Sequence, residues 1–331
     1  MPGPQGSHGQ RLTAQESITQ MSQIKPVVSG LTGLGGYAAN ICRLLLHERG
    51  QASGDADATA HLAAVCSSNP ARHPERVAEL QQHGVKICQS YEQMLEMPEI
   101  EAVWLPLPID LHVPYTRKAL DAGKAVMLEK PIAGSVQDVD HLIKLRDSRG
   151  RPLLIGYQDI YDPATVQVKR RLLDGAIGRV RSACLRAVWP RDSRYYGRAD
   201  WAGRMKKGET WILDSPANNA LAHFINIALF FLGRQMLESA EPVAVEAELY
   251  RANDIENYDT IAMRLKLADG VPFVVLLTHA GEENHHPLIR IDGDGGSMSW
   301  SFEGPIGIEP AASGRGDLAW SAPSIRIRNM E

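Results

Sequence analysis

Residues 26–38 read Pro-Val-Val-Ser-Gly-Leu-Thr-Gly-Leu-Gly-Gly-Tyr-Ala. A β-branched, apolar run predicts a strand from Pro26 to Leu31, and it passes straight into Gly33-Leu34-Gly35-Gly36-Tyr37-Ala38, a GxGxxA pattern opening a helical stretch from Gly36 to His47. Gly33 permits the tight turn, Gly35 lets the backbone approach a pyrophosphate, and Ala38 lets the helix pack close to the strand. The start of that helix would offer free N–H groups and a positive dipole end to phosphates. A nucleotide cofactor is therefore expected at Gly33, Leu34, Gly35, Gly36 and Tyr37.

Outward from this loop the pattern repeats as parallel βαβ units. Further strands are expected at His61–Ser67, Val85–Cys88, Ala102–Leu105, Ala125–Glu129 and Pro152–Tyr157, with helices at Pro74–His83, Leu111–Ala122 and Val136–Asp147. The Gly-, Ala- and Asp-rich segment Glu48–Thr59 reads as a longer loop. After Tyr157 the rhythm changes. A helix, Pro163–Asp174, and a strand, Val180–Trp189, precede a polar, aromatic loop from Pro190 to Thr210. An apolar helix from Ala217 to Leu232 follows, then strands at Val243–Tyr250, Asp259–Leu267, Val271–Thr278, Leu288–Ile291 and Ser297–Phe302. The expected fold class is an α/β N-terminal Rossmann domain over residues 26–157, plus a C-terminal α+β domain over 158–331 with an open, mostly antiparallel sheet for substrate binding and oligomerisation. Residues 1–25 read as a disordered leader or tag, with Met21 a candidate natural start. The tail 310–331, weak in pattern, suggests a truncated C-terminus.

The chain has 331 residues, 44% hydrophobic and 22% charged, with a formal charge of -4. No basic run marks nucleic acid or an anionic membrane as partner, and no stretch approaches the ~18 apolar residues that span a bilayer. Cys42, Cys66, Cys88 and Cys184 have no metal-ligand spacing, so free thiols in a reducing, cytoplasmic setting and no metal site are expected.

At the end of the second strand, Cys66-Ser67-Ser68-Asn69-Pro70-Ala71-Arg72 carries no carboxylate to grip a ribose diol. Ser67, Ser68 and Arg72 suit a 2′-phosphate, which favours NADP over NAD. Two more strand ends converge on the same carboxyl edge, where open α/β sheets bind ligands. One is Leu107-Pro108 running to His112, and the other is Glu129-Lys130-Pro131.

The order of these pieces resembles the glucose–fructose oxidoreductase, inositol dehydrogenase and rhizopine-catabolism oxidoreductases, the Gfo/Idh/MocA family. The likeness spans Pro26 to Phe302: the glycine loop, Pro108 to His112, "AGKAVMLEKPIA" from Ala122 to Ala133, "DGAIGRV" from Asp174 to Val180, and a His-bearing helix closing on Gly233. It implies that Lys130 is the active-site lysine beside nicotinamide and the reacting oxygen. It also implies cofactor contacts from Leu107, Pro108, His112, Glu129 and Lys130, and a Ser67/Arg72 pair like that of NADP-using members.

Asn219, His223 and Asn226, spaced i, i+4 and i+7, predict one polar stripe on the apolar helix, and such a stripe must find partners or line a cavity. His223 is the expected proton carrier. The family's usual helix reads Asp-x-x-x-His-x-x-Asp, and here both aspartates are asparagines, which cannot stabilise an imidazolium as a carboxylate does. Asp214 is a candidate substitute. Tyr157, Tyr196, Arg198 and Trp201, together with Asn219 and Asp214, are expected to line a sugar-like substrate. The expected function is hydride transfer between NAD(P) and a secondary alcohol or ketone of a sugar, sugar derivative or cyclitol, by a homodimer or homotetramer. Two alternatives are glycoside cleavage by transient oxidation and elimination, and a non-catalytic cofactor or sugar sensor.

Overall fold

The computed structural model describes residues 27–51, 60–310 and 320–322. The leader 1–25, residues 52–59 of the expected loop, and most of the 310–331 tail lie outside them. The chain divides into two compact units: Met1–Leu107 with Tyr115–Met127 and Arg146–Leu153, and Pro108–Pro114 with Leu128–Leu145 and Leu154–Glu331.

Strand β1 (Val27–Thr32) leads into α1 (Tyr37–Gln51), so residues 48–51, read as loop from their polarity, continue the helix. Then follow β2 (Ala60–Cys66), a 3₁₀ turn at Pro70–Arg72, α2 (Pro74–Gln82), β3 (Lys86–Cys88), α3 (Tyr91–Leu95), β4 (Ala102–Leu105), α4 (Ile109–Asp121), β5 (Ala125–Leu128), α5 (Val136–Arg149) and β6 (Leu153–Ile155). The six strands order as β3-β2-β1-β4-β5-β6. β1 runs parallel to β2 on one side and to β4 on the other, so the order reverses at β1 and the glycine loop leaves the sheet at a topological switch point. The short α3 escaped the pattern reading. Its Met94 packs on β1 where a Cβ at Gly30 would come within 2.6 Å of the sulfur.

In the second unit a 3₁₀ turn at Gln158–Tyr161 precedes α6 (Pro163–Leu173), β7 (Val180–Val188), α7 (Ser193–Gly197), the two-stranded β8 (Lys206–Lys207) and β9 (Thr210–Trp211), and α8 (Ala222–Leu232). Then come β10 (Pro242–Tyr250), β11 (Thr260–Leu267), β12 (Pro272–Thr278), β13 (His285–Gly293), β14 (Gly296–Ser301), β15 (Ile306–Pro310) and β16 (Trp320–Ala322). The large sheet orders as β10-β11-β12-β7-β13-β14-β15-β16. All its pairings are antiparallel except β12 with β7. Phe224, Ile227 and Phe231 of α8 and Val168 of α6 bury against Leu185, Phe273, Val275 and Ile289 of this sheet. This burial holds α8 in place, because each such side chain contributes ~1.5–3 kcal/mol. The fully buried Lys169 donates to the carbonyls of Phe230, Gly233 and Glu238, closing the carboxyl end of α8.

The sequence placed the start of α8 at Ala217, and the structure places it at Ala222. Residues 215–221 form turns instead, with the Asn219 N–H donating to Ser215 O at 3.0 Å and the Leu221 N–H to Pro216 O at 2.9 Å. The cause is side-chain competition for backbone groups. Asn218 Nδ2 donates to the carbonyls of Ile212 and Leu213, and the Asn218 N–H donates to Ser215 Oγ. Asn219 is therefore off the helix, and the expected three-residue stripe reduces to His223 and Asn226.

Candidate active site

In the first unit Gly33 adopts φ +91° and Gly36 φ +55°, values in the region that favours glycine. The Gly33 N–H donates to Cys66 O at 2.7 Å, and a Cβ at Gly33 would lie 3.2 Å from that of the buried Ala38. The close helix-to-strand packing expected of Gly33 and Ala38 is present. Leu34 is buried in the core below, so only its backbone is available to a ligand, and Tyr37 packs partly buried against the same core. Beside Gly35 lies the imidazole of His73, 3.1 Å from where a Cβ would stand. Sequence reasoning missed His73, since nothing local ties it to a loop so far upstream. Ser67 Oγ accepts from the Asn69 N–H at 3.4 Å, and Arg72 closes the 3₁₀ turn that follows. The open space at Gly36, where a Cβ would meet nothing within 4 Å, the positive-φ glycines and the adjacent hydroxyl and guanidinium fit the pyrophosphate and ribose of a dinucleotide.

In the second unit the turn after Leu128 is held from below. His112 is 1% exposed and its Nδ1 lies 2.6 Å from Pro131 O, so it positions the Lys130 turn instead of reaching outward as a cofactor contact. Lys130 Nζ donates to Asn219 Oδ1 at 2.8 Å and to Asn219 O at 3.1 Å. An ammonium has three N–H groups, so one is left for a ligand. Asn219 Nδ2 donates to Asp214 Oδ1 at 2.7 Å, while Asp214 Oδ2 accepts from the Gly203 N–H at 2.7 Å. Asp214 is 4% exposed and follows Leu213 at φ +48°, a strained backbone that turns the carboxylate inward. Asp214 thus acts on Lys130 through Asn219. Burial lowers the Lys130 pKa, an effect opposed by the charges of Glu129, Asp214 and Asp159 and reinforced by Arg198.

Glu129 is pushed up to about 7 by burial, with the Lys130 charge and the Lys130 N–H pulling it back. It fits only because residue 156 is glycine: a Cβ there would lie 2.7 Å from Glu129 Oε1. A carboxyl group raised in the folded state binds its proton more tightly folded than unfolded. Its contribution to stability is therefore full below about pH 4 and is lost as pH rises through about 7. We expect the urea stability of the wild type to fall by on the order of 2–3 kcal/mol between pH 4.5 and pH 8 from this group. Glu129→Gln should flatten that slope, and an unchanged slope would exclude Glu129 as its source.

His223, in the first turn of α8, has Nδ1 3.1 Å from Asp159 Oδ2. The separation is that of an ion pair, but the ring N–H does not point along it, and Nδ1 has no aligned hydrogen bond. The Tyr157 ring meets the imidazole edge-on at 5.7 Å. Asp159 was not anticipated; its position just beyond β6, at the same strand-end edge as Lys130, was the available signal. Asn226 Oδ1 is buried without a partner among the described residues.

The loop after β7 folds into α7, whose N-terminal cap is Asp192, accepting from the Tyr195 N–H at 3.0 Å. Arg198 stacks at 3.6 Å on the Tyr195 ring and at 4.9 Å on Trp201. Tyr196 Oη is buried with no partner among the described residues. Leu107 and Pro108 precede α4, where Pro108 O accepts the Leu111 N–H, and Ser68 is an exposed loop residue.

The chain matches two family models, described as an oxidoreductase family with an NAD-binding Rossmann fold over residues 28–157, and as a GFO/IDH/MocA C-terminal domain over residues 165–299. The chain belongs to the Gfo/Idh/MocA oxidoreductase family. Inositol 2-dehydrogenase of Rhizobium meliloti (strain 1021) is 25% identical over 78% of this chain and 73% of its own length. A dTDP-3,4-didehydro-2,6-dideoxy-alpha-D-glucose 3-reductase of Streptomyces violaceoruber is 37% identical over 99 residues, 30% of this chain and 29% of that protein, so that match spans less than a third of the relative. Among solved structures, the WlbA dehydrogenase from Bordetella pertussis in complex with NADH and UDP-GlcNAcA has TM-score 0.69 at 24% identity, covering 84% of this chain and 78% of that one. Levoglucosan dehydrogenase in complex with NADH and levoglucosan has TM-score 0.74 at 19% identity, covering 90% and 80%. These likenesses establish the fold.

Against the family's Asp-x-x-x-His-x-x-Asp helix, this member keeps carboxylates by another route. Asp214 stands behind Asn219, and Asp159 approaches the histidine from a different element.

Proposed function

We propose that this chain is an NAD(P)-dependent dehydrogenase or reductase that interconverts a secondary alcohol and a ketone on a sugar, sugar derivative or cyclitol. The observation that carries this reading is the Lys130–Asn219–Asp214 chain of hydrogen bonds, assembled in the same unit as the His223/Asp159 pair. Lys130 offers its remaining N–H to the substrate oxygen and stabilises developing alkoxide charge. His223 takes the hydroxyl proton on oxidation and returns it on reduction, with Asp159 steadying the charged ring. NAD(P), whose pyrophosphate the glycine loop would hold, would supply or accept the hydride, so that alcohol and oxidised cofactor would give ketone, reduced cofactor and one proton. Tyr157 and Trp201 offer ring faces for a carbohydrate.

NADP is the favoured cofactor, since Ser67 and Arg72 offer a hydroxyl and a cation where an NAD-selective site would place a carboxylate. Ser67→Asp should repel a 2′-phosphate and weaken NADPH binding by roughly 10- to 100-fold while NADH changes little. Titration of cofactor fluorescence checks this, and an equal loss for both cofactors would reject the assignment. A panel of polyols and ketoses with each cofactor tests the activity itself, and no turnover with any would refute it. Cys42, Cys66, Cys88 and Cys184 are free, which supports a cytoplasmic setting. The outer face of the large sheet, with Leu276 exposed, supports self-association as a dimer or tetramer.

A further inference from the structure

The cations of residues 189–211 fall into two groups. Arg194 Nε lies 2.9 Å from Asp192 Oδ2, Arg204 pairs with Glu256, and Lys207 lies 3.1 Å from both Asp110 and Asp200. Arg191 and Arg198 have no ion pair among the described residues. Both instead lie against one ring, their guanidinium carbons 4.5 and 3.6 Å from the Tyr195 centroid. Arg198 donates Nη1 to Tyr195 O at 2.6 Å, and Arg191 Nε is buried without a hydrogen-bond partner among the described residues.

The nearby carboxylates are committed elsewhere. Asp214 serves Gly203 and Asn219. Asp259 accepts from the Ala252 N–H, from both nitrogens of Asn253 and from Thr260 Oγ1. The buried His279, its ring 6.2 Å from Tyr195, has a pKa lowered to about 4 by burial, with the charges of Arg191 and Arg198 adding to the shift and its bond to Trp189 O and the charge of Asp259 opposing it. Two guanidinium groups are thus brought together on one aromatic ring with no ion-pair partner among the described residues; Arg198 faces solvent, and the buried Arg191 Nε lacks an acceptor that a bound anion would supply. The same loop is tied to the proposed reacting centre: Gly203, five residues past Arg198, donates its N–H to Asp214 Oδ2, and Asp214 reaches Lys130 through Asn219; the charge of Arg198 also lowers the Lys130 pKa.

We infer that Arg191 and Arg198, clasping Tyr195, bind an anionic substituent of the substrate, so that the substrate class is an acidic sugar carrying a carboxylate or phosphate instead of a neutral polyol. A planar fork suits either oxyanion, and the aromatic stack holds each fork at little entropic cost. This inference deepens the oxidoreductase reading and rests on it only in taking Lys130 as the reacting centre.

Calorimetric titration of the full chain with D-glucuronate, D-galacturonate, D-glucose 6-phosphate and D-glucose tests it without requiring turnover. At least one acidic sugar should bind 10-fold or more tighter than glucose. Arg191→Gln or Arg198→Gln should weaken that acid by roughly 10- to 100-fold. Arg198→Lys should retain part of the affinity, and Arg194→Gln, whose guanidinium is already paired, should retain all of it. The uronates and the phosphate ester separate the two oxyanions. Glucose binding as tightly as every acid, no acid binding at all, or acid affinity that survives both glutamine variants would each overturn the inference. Arginine-dependent binding of an acid without turnover by either cofactor removes the oxidoreductase reading and leaves this one standing. Efficient turnover of neutral sugars with no preference for acids does the reverse.

Discussion

Lys130→Met lowers kcat by about 10³-fold or more while the affinity for NAD(P)H stays within about threefold of wild type. The size follows from what the side chain does. Its Nζ is half-buried, is held by two acceptors on Asn219, and has one N–H left over. In such a low-dielectric setting, a fixed cation beside developing alkoxide charge contributes far more than it would in water. Methionine keeps the length and apolar volume, so the turn clamped by His112 should persist. The measurement is steady-state turnover on the best substrate of the panel, alongside cofactor titration. Turnover within tenfold of wild type would remove Lys130 from the mechanism.

Exchanging the two side chains behind that lysine gives the second large effect. Because Asn219 Nδ2 donates to Asp214, its Oδ1 must face Lys130, and Asp214 must accept twice, from Asn219 and from the Gly203 N–H. An amide at 214 cannot accept from both partners without turning a donor toward one of them. Asp214→Asn alone should therefore cost on the order of 1–3 kcal/mol of stability and lower kcat roughly 10- to 100-fold by misplacing Lys130. Asn219→Asp alone sets two buried carboxylates against each other and should also destabilise. The double variant restores every donor to an acceptor: position 219 accepts from Lys130 and from the amide at 214, whose oxygen accepts from Gly203. It should recover both stability and kcat to within about tenfold of wild type. Urea midpoints and kcat for the three variants form a cycle. Strict additivity of the two single losses would show that the groups do not act as one chain.

Asparagines at 219 and 226, where the family's helix has aspartates, are the feature that favours the sensor alternative. The carboxylates of Asp214 and Asp159 now stand behind Asn219 and beside His223, so the chemical motive for that alternative is gone.

Sequence alone determined what is written in local spacing. The switch from strand to glycine loop to helix fixed the Rossmann unit, because positive φ at Gly33 and Gly36 and close packing at Ala38 are demands made within a few residues. Lys130 was legible as the residue ending a strand at the binding edge. The start of α8 was misread because periodicity counts apolar positions and does not register Asn218 capturing the carbonyls of Ile212 and Leu213. Only the tertiary structure decided which carboxylate stands by Lys130 and which by His223, the two groups proposed to carry the chemistry. Asp214 reaches Lys130 through an amide far from the lysine in sequence, and Asp159 meets His223 from a turn beyond another sheet. The first contact depends on the turns that Asn218 and Ser215 hold before α8, and the second on how burial of α8 against the large sheet orients His223; no short-range pattern carries that information.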